Sequence, residues 1–144
     1  MEGKTILLVE DNPDHQELTR RALAAAEIFQ YTVTVGDGQE ALDFMFGEGS
    51  WSQKDARRLP ALVLLDLKLA GMDGVQILMR LRADPRTARV PVVVLTSSME
   101  EGDVARAYEA GASGYMRKSL NFDDYRDDLK LAAQYWLDVN VPPP

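Results

Sequence analysis

The sequence predicts a single doubly wound α/β domain, in which helices cover both faces of a parallel sheet. Three short apolar runs, at residues 6–9, 62–65 and 92–95, are uninterrupted rather than alternating. Such runs are typical of strands that are buried on both faces. The segments between them show helical spacing and helix end signals, so strand and helix alternate along the chain. Short right-handed crossovers assemble such units into a parallel sheet.

Helix signals follow the first apolar run. Asn12-Pro13 supplies an N-cap residue and a first-turn proline. The apolar residues that follow lie on one stripe of the helix: Leu18, Ala22 and Ala25 or Ala26. A weaker strand is predicted at residues 31–35, and residues 47–60 are interpreted as a long loop before the third strand.

The second half of the chain repeats the alternation. Asp73-Gly74 opens a helix whose apolar stripe contains Val75, Leu78 and Leu81. The apolar run at 92–95 is the fourth strand, and residues 114–117 form a weaker fifth strand. These elements give five strand–helix units.

The last helix is predicted at residues 121–138, and a Pro-rich tail follows at 141–144. One apolar stripe is assigned to the core: Phe122, Tyr125, Leu129, Ala132 and Trp136. Leu131 and Tyr135 lie on a second apolar flank that has no obvious internal partner. We therefore expect a homodimer whose interface includes Leu131, Tyr135 and Trp136.

Composition excludes several classes of function. The chain has 144 residues, 46% of them hydrophobic, which suits one globular domain. Its 16 basic against 23 acidic residues give a net charge of −7, which disfavours direct binding to nucleic acid or to anionic membranes. Without cysteine there is no disulfide or thiolate nucleophile, and the single histidine, His15, is interpreted as a plain surface residue. No apolar segment suits a signal peptide or a membrane span, so we expect a cytoplasmic protein.

Polar side chains follow the predicted strands where functional groups of open parallel sheets gather. Glu10 and Asp11 follow the first strand, Asp66 the third, Thr96 the fourth and Lys118 the fifth. Three carboxylates at one edge repel one another, unless a divalent cation shares their oxygens. Mg²⁺ is the natural candidate for such oxygen ligands.

A carboxylate beside Mg²⁺, faced by an ammonium and a hydroxyl, can attack a phosphoryl group. Asp66 is the best nucleophile because it stands alone at the end of a central strand, whereas Glu10 and Asp11 form a pair suited to holding metal. The product would be an aspartyl phosphate.

These residues resemble the receiver domain of two-component response regulators. The resemblance covers essentially the whole chain, with 30 residues from Asp66 to Thr96 and 22 from Thr96 to Lys118. It rests on the acidic pair Glu10-Asp11, Leu65-Asp66, Gly71-Met72-Asp73-Gly74, Val94-Leu95-Thr96, Ala110-Gly111-Ala112-Ser113-Gly114-Tyr115 and Lys118. It implies a flavodoxin-like sheet of order 2-1-3-4-5 in a receiver domain at residues 1–140.

The resemblance implies that Asp66 accepts phosphate from a sensor histidine kinase. It also implies that Asp11, Asp66 and the backbone carbonyl of Lys68 ligate Mg²⁺, while Glu10 holds water bound to the metal. This set of residues would make the protein a signalling phosphoacceptor rather than a turnover enzyme.

The resemblance also implies roles in switching and in dephosphorylation. Thr96 and Lys118 would contact the phosphoryl oxygens, and Tyr115 would change orientation with the switch. Lys68 and Ser98 flank the path by which water attacks the phosphoryl group, and neither supplies a side-chain amide or carboxylate. We therefore expect slow self-dephosphorylation.

The chain departs from the family pattern at a few points. Ser119 stands where the family usually has a proline in a cis peptide, and the loop at 47–60 is longer than usual. We also expect a stand-alone regulator without an effector domain. Together with the Tyr-Trp-Leu ending and the Pro-rich tail, these features resemble the single-domain regulators that partner bacterial phytochromes.

Two alternatives from other classes remain open. A phosphatase or mutase of haloacid-dehalogenase type would also use an aspartyl phosphate, but it needs a second Asp two residues after the nucleophile, where Lys68 stands. A flavin-binding module would share the topology, but no Ser/Thr-rich phosphate loop follows the first strand.

Overall fold

Five parallel strands form one sheet in this computed structural model, which describes residues 3–51 and 59–144. The strands are β1 (Ile6–Val9), β2 (Thr32–Val35), β3 (Leu62–Leu65), β4 (Val92–Thr96) and β5 (Gly114–Arg117). Their order in the sheet is β2-β1-β3-β4-β5, and each neighbouring pair is parallel. The predicted doubly wound, flavodoxin-like fold is confirmed.

Helices connect the strands on both faces of the sheet. They are α1 (Pro13–Ala25), α2 (Gly38–Phe46), α3 (Gly74–Ala83), α4 (Glu101–Glu109) and α5 (Phe122–Gln134), which continues as a π-helical turn at Tyr135–Val139. The predicted loop at 47–60 includes a short 3₁₀ turn at Gly49–Trp51. Its residues 52–58 lie outside the described part of the chain. None of the helices in the described residues is long and apolar enough to cross a membrane.

The uninterrupted apolar runs serve two cores. Along β1, Leu7 and Val9 pack into the cluster that contains α2 and α3, whereas Ile6 and Leu8 pack into the cluster that contains α1 and α5. All four side chains are at most 2% exposed. Burying each one contributes about 1.5 to 3 kcal/mol of hydrophobic free energy, so a polar residue on either face would be costly.

The core-facing stripe of α5 differs from the predicted one. The buried residues are Tyr125, Leu129, Ala133 and Leu137, whereas Phe122 is exposed and Ala132 and Trp136 are only partly buried. In an α-helix, residues four positions apart do not lie on one straight line, so a stripe of such residues turns slowly around the helix. The π-helical turn at the end of α5 has more residues per turn, and it brings Leu137 back over the sheet. The sequence pattern alone did not distinguish these two stripes.

Candidate functional site

The carboxyl ends of the strands bring the predicted site residues to one edge of the sheet. Val9 in β1 lies opposite Leu65 in β3, so the residues that follow them, Glu10 and Asp66, are neighbours on adjacent strands. Lys118 follows β5, and its side chain crosses to the same place. Glu10, the central carboxylate and the ammonium therefore converge as the sequence predicts.

The ammonium of Lys118 lies between three acceptors. Its Nζ donates a hydrogen bond to Asp66 Oδ2 at 2.9 Å and another to a Glu10 carboxylate oxygen, and it lies 3.0 Å from His15 Nδ1. Because an ammonium can only donate, Nδ1 of His15 is the acceptor in this contact. The three N–H groups of Lys118 are thus all used.

Burial sets the electrostatics of this group. The side chains of Glu10, Asp66 and Lys118 are 1%, 9% and 4% exposed. Burial raises the pKa of Glu10, with a smaller contribution from the charge of Asp66, while Lys118 opposes the shift. Two ionised carboxylates facing one ammonium leave an excess negative charge, which a second cation would offset.

The donor set fits a hard divalent cation, although the expected ligands are not all gathered at one point. Glu10, His15 and Asp66 each place a potential ligand atom within 4.8 Å of the other two. Asp11 is turned aside, and its Oδ2 accepts a 2.6 Å hydrogen bond from the backbone N–H of Ala70. The carboxylates of Glu10, Asp11 and Asp66 nevertheless supply the oxygen ligands that Mg²⁺ or Mn²⁺ takes.

The loop after Asp66 is shaped for close packing. Lys68 N–H donates to Asp66 Oδ1 at 3.0 Å, which orients the carboxylate. Gly74 begins α3 directly against this loop, where an added Cβ would lie 2.5 Å from the carbonyl oxygen of Asp66. Asp73 caps the helix in a capping box with Gln76. A larger residue than glycine would therefore displace the backbone that carries the predicted nucleophile.

The predicted switch residues contact the loop after β4. Thr96 is buried, and its hydroxyl oxygen accepts a hydrogen bond from Ser98 N–H at 3.3 Å. The hydroxyl of Tyr115 donates to the carbonyl oxygen of Ser98 at 2.8 Å, and burial raises its pKa. Tyr115 is therefore turned inward towards this loop. The Lys118–Ser119 peptide is trans, as are the other peptide bonds of the described residues.

Two residues at the site were missed by the sequence analysis. The interpretation of His15 as a plain surface residue is wrong, because its ring contacts Lys118 although its side chain is 41% exposed. The sequence did contain a signal for this contact. Asn12 caps α1 directly after β1, so the first turn of the helix, which contains His15, lies over the end of that strand. Asp103 in α4 accepts a 2.6 Å hydrogen bond from the hydroxyl of Ser98, and no strand-end pattern indicates it.

The residues predicted to form a dimer interface lie on an exposed face. Leu131 and Tyr135 are 68% and 47% exposed, and Tyr135 packs edge-to-face on the partly buried Trp136 at 5.0 Å between ring centroids. They line a groove of 740 Å³ that also includes Tyr115 and Met116 of β5. The predicted switch residue is therefore part of the groove wall.

The fold and the site define a receiver domain, and comparison with known proteins agrees. Residues 6–130 match the family model of the response regulator receiver domain, and the chain belongs to this family. Receiver domains bind divalent metal ions and act with sensor histidine kinases in two-component signalling. Membership favours a signalling role over the phosphatase and flavin alternatives.

Within the family, the chain is homologous to regulators of phytochrome signalling. Response regulator Rcp1 of a Synechocystis species is 34% identical over 140 residues, covering 97% of this chain and 93% of Rcp1. The phosphorylated cyanobacterial phytochrome response regulator RcpA has a TM-score of 0.86 at 35% identity, covering 98% of this chain and 99% of RcpA. Rcp1 has also been solved in a Mn²⁺-bound form, with a TM-score of 0.82 at 33% identity, covering 98% of this chain and 99% of that chain.

The chain is also similar to a regulator whose name refers to a different process. The probable methanogenesis regulatory protein FilR2 of Methanothrix harundinacea is 37% identical over 139 residues, covering 96% of this chain and 86% of FilR2. Similarity of this level is therefore shared by regulators of more than one process.

Proposed function

We propose that this protein acts in the cytoplasm as the phosphoacceptor of a two-component relay, with Asp66 taking a phosphoryl group from a sensor histidine kinase. The observation that carries the proposal is the buried ion pair between Asp66 and Lys118 at the carboxyl edge of the sheet. A buried carboxylate paired with one ammonium is arranged both to attack phosphorus and to bind the anion that results.

The transfer step follows from this geometry. A carboxylate oxygen of Asp66 forms a bond to the phosphorus of a phosphohistidine, the P–N bond breaks, and the leaving imidazole takes a proton. Lys118 then moves its hydrogen bond from the carboxylate to a phosphoryl oxygen. The Thr96 hydroxyl, which accepts a hydrogen bond from Ser98 in the resting site, turns to donate to the same group.

Mg²⁺ would be held by Asp11, Asp66 and the carbonyl of Lys68, with Glu10 accepting hydrogen bonds from water around the ion. When bound, the ion neutralises negative charge on the phosphoryl oxygens. The excess negative charge of the buried carboxylates supports this assignment, because it is present before any phosphate arrives.

The partner and the output are part of the same proposal. Similarity to Rcp1 and RcpA supports a bacteriophytochrome as the kinase. Phosphorylation would shift Tyr115 and the adjoining groove, and through them a homodimer formed by Leu131, Tyr135 and Trp136. Phosphotransfer profiling against the sensor histidine kinases of the host, phytochrome kinases included, identifies the donor.

The nucleophile is tested by Asp66→Asn, which changes the reacting atom while keeping the shape of the side chain. With acetyl phosphate and Mg²⁺, we expect the wild-type protein to gain one phosphoryl group by intact mass and the variant to gain none. Asp123→Asn removes an exposed carboxylate on α5 and serves as the matched control, which should label like wild type. Undiminished labelling of Asp66→Asn would show that another residue is the acceptor.

A further inference from the structure

His15 presents a ring nitrogen to the buried carboxylates of the site. Its Nδ1 lies 3.0 Å from Lys118 Nζ and 3.7 Å from a carboxylate oxygen of Glu10. Because an ammonium has no lone pair, the lone pair of Nδ1 is directed at it. A transition-metal ion binds imidazole through the same lone pair. The ring is therefore already turned as a metal ligand would be.

The first turn of α1 is fixed in the position that this contact needs. Asn12 Oδ1 accepts hydrogen bonds from the backbone N–H groups of Asp14 at 2.9 Å and His15 at 3.1 Å. The side-chain amide of Gln16 donates a 2.5 Å hydrogen bond to the backbone carbonyl of Glu10. The first contact holds the turn, and the second ties it to the residue that follows β1. Little ordering is needed to bring the imidazole to the carboxylates.

The spacing of the ligand atoms suits a transition-metal ion. Glu10, His15 and Asp66 each place one such atom within 4.8 Å of the other two. Ligand atoms around a tetrahedral Zn²⁺, at bond lengths of about 2.0 to 2.2 Å, are about 3.4 Å apart. The His15 and Glu10 atoms are 3.7 Å apart, so small side-chain movements suffice. One imidazole and two carboxylates form a mixed nitrogen and oxygen set that favours Zn²⁺ or Co²⁺ over Mg²⁺.

This set differs from the ligands that the family resemblance implies for Mg²⁺. Asp66 Oδ1 accepts a hydrogen bond from Lys68 N–H at 3.0 Å, whereas Oδ2 accepts one from Lys118 at 2.9 Å. The two oxygens therefore face the loop after β3 and the imidazole side, respectively. Asp11, an implied Mg²⁺ ligand, is turned aside. An ion at His15 would use Asp66 from the side that Lys118 occupies.

Lys118 already places a cation among these three side chains. Its Nζ contacts both carboxylates and the imidazole, and its side chain is 4% exposed. A metal ion and the ammonium repel each other and need the same lone pairs, so they compete for this position. The ring of His15 is 41% exposed, which gives an ion a route from solvent to the buried carboxylates.

We propose that Glu10, His15 and Asp66 form a site for a transition-metal ion such as Zn²⁺, which replaces the ammonium of Lys118. The chain has one histidine and no cysteine, so His15 is the only imidazole or thiolate ligand that it can offer. An ion bound there holds the predicted nucleophile and prevents its phosphorylation. This consequence rests on the proposed function, whereas the binding of the ion does not.

Co²⁺ binding to the full-length protein tests the site, because the visible absorption of Co²⁺ reports its ligands. We expect His15→Asn to bind Co²⁺ about tenfold or more weakly than wild type and to bind Mg²⁺ with unchanged affinity by calorimetry. Glu10→Gln and Asp66→Asn should also weaken Co²⁺ binding, which a lone imidazole would not require. Glu17→Gln changes a half-exposed carboxylate of the same helix and should match wild type.

Lys118→Met tests the competition between the ammonium and the ion. Removing the ammonium should tighten Co²⁺ binding by about tenfold or more. The gain should be smaller in the double variant with His15→Asn, because one ligand of the ion is then missing. Circular dichroism checks that each variant is folded. If Lys118→Met does not fold, the comparison of wild type with His15→Asn decides the inference.

A labelling experiment tests the consequence for phosphorylation. With acetyl phosphate and Mg²⁺, a saturating amount of Zn²⁺ should stop labelling of wild type and leave labelling of His15→Asn nearly unchanged. Equal inhibition of both proteins would overturn the role of His15. A wild-type protein that accepts no phosphoryl group even without Zn²⁺ would disprove the proposed function, and the Co²⁺ titration would still decide the metal site.

Two results of the Co²⁺ titration would overturn the inference while leaving the phosphoacceptor proposal intact. One is an equal Co²⁺ affinity of wild type and His15→Asn, which would place the ion on oxygen ligands alone. The other is a loss of affinity in His15→Asn with none in Glu10→Gln and Asp66→Asn, which would show a lone surface imidazole rather than a site.

Discussion

At the scale of single residues, the site is organised by one ammonium and the acceptors around it. Lys118 uses its three N–H groups on Glu10, Asp66 and His15, and the first two are almost completely buried. Removing Lys118 would leave two buried carboxylates facing each other, which is strongly unfavourable. Replacing one of the carboxylates with a neutral side chain should instead stabilise the metal-free protein, because it removes the excess negative charge.

Glu10→Gln is expected to stabilise the metal-free protein. Glutamine retains an oxygen that accepts the hydrogen bond from Lys118 but carries no charge, so the gain in unfolding free energy should be about 1 kcal/mol. Urea denaturation with EDTA present measures the difference. Added Mg²⁺ should stabilise the variant less than wild type, because the carboxylate that accepts hydrogen bonds from water around the ion has lost its charge.

Glu10→Gln should also remove a pH dependence of the unfolding free energy. Burial raises the pKa of Glu10 above its usual value of 4.5, so the folded state binds this proton more tightly than the unfolded state. Stability from this group is therefore present below pH 4.5 and is lost as the pH rises through the raised folded pKa. The slope should be absent in Glu10→Gln and retained in Glu109→Gln, which changes an exposed residue. An identical pH profile for wild type and Glu10→Gln would contradict the prediction.

At the scale of elements, the periodicity of the sequence was enough for the strands but not for all contacts of the helices. Runs such as 62–65 are unambiguous because both faces of the sheet are covered, so every position is apolar. A helix buries only one side, and on α5 the stripe through Tyr125 and Leu129 can continue to Trp136 or to Leu137 with similar spacing. The π-helical turn that decides between them has no clear sequence signal.

The residues of the candidate site show the same difference between strands and helices. Glu10, Asp66 and Lys118 were predicted because they directly follow strands, where topology fixes their position. His15 and Asp103 reach the site from helices, so their approach depends on how α1 and α4 pack against the sheet. That packing is a tertiary property, and a single polar residue in a helix does not reveal it.

A buried hydrogen bond couples α1 to α5 beneath the site. The hydroxyls of Thr19 and Tyr125 lie 2.7 Å apart, Tyr125 is fully buried, and burial raises its pKa to about 12. Tyr125→Phe should therefore lower the unfolding free energy by about 1 to 2 kcal/mol, because it leaves a buried hydroxyl without this partner. Chemical denaturation provides the measurement.

The double variant Thr19→Val with Tyr125→Phe tests the cause. Removing both hydroxyls leaves no unpaired polar group, so the double variant should recover part of the stability lost in Tyr125→Phe alone. Tyr108→Phe alters a half-exposed tyrosine and should have little effect. Additive losses in the double variant would show that the two hydroxyls do not act together.

At the scale of the whole molecule, the charge and the apolar surface have separate locations. The buried carboxylates lie at the carboxyl edge of the sheet, whereas Leu131, Tyr135 and Trp136 lie along α5 and its π-helical continuation. The groove between them and β5 contains Tyr115, whose hydroxyl reaches the loop beside the site. In the proposed function, a change at Asp66 would reach this surface through the Tyr115 side chain and the loop that contains Ser98.

Leu131→Glu tests whether this surface forms the proposed homodimer. Leu131 is 68% exposed, so the substitution should leave the fold intact while placing a charge in the apolar contact. We expect light scattering to give a dimer mass for wild type and a monomer mass for the variant. Trp136→Glu is a poorer test because the indole also packs against the core of the α1–α5 face. Lys130→Glu changes the neighbouring exposed residue and should remain dimeric, whereas a Leu131→Glu variant that still dimerises would place the interface elsewhere.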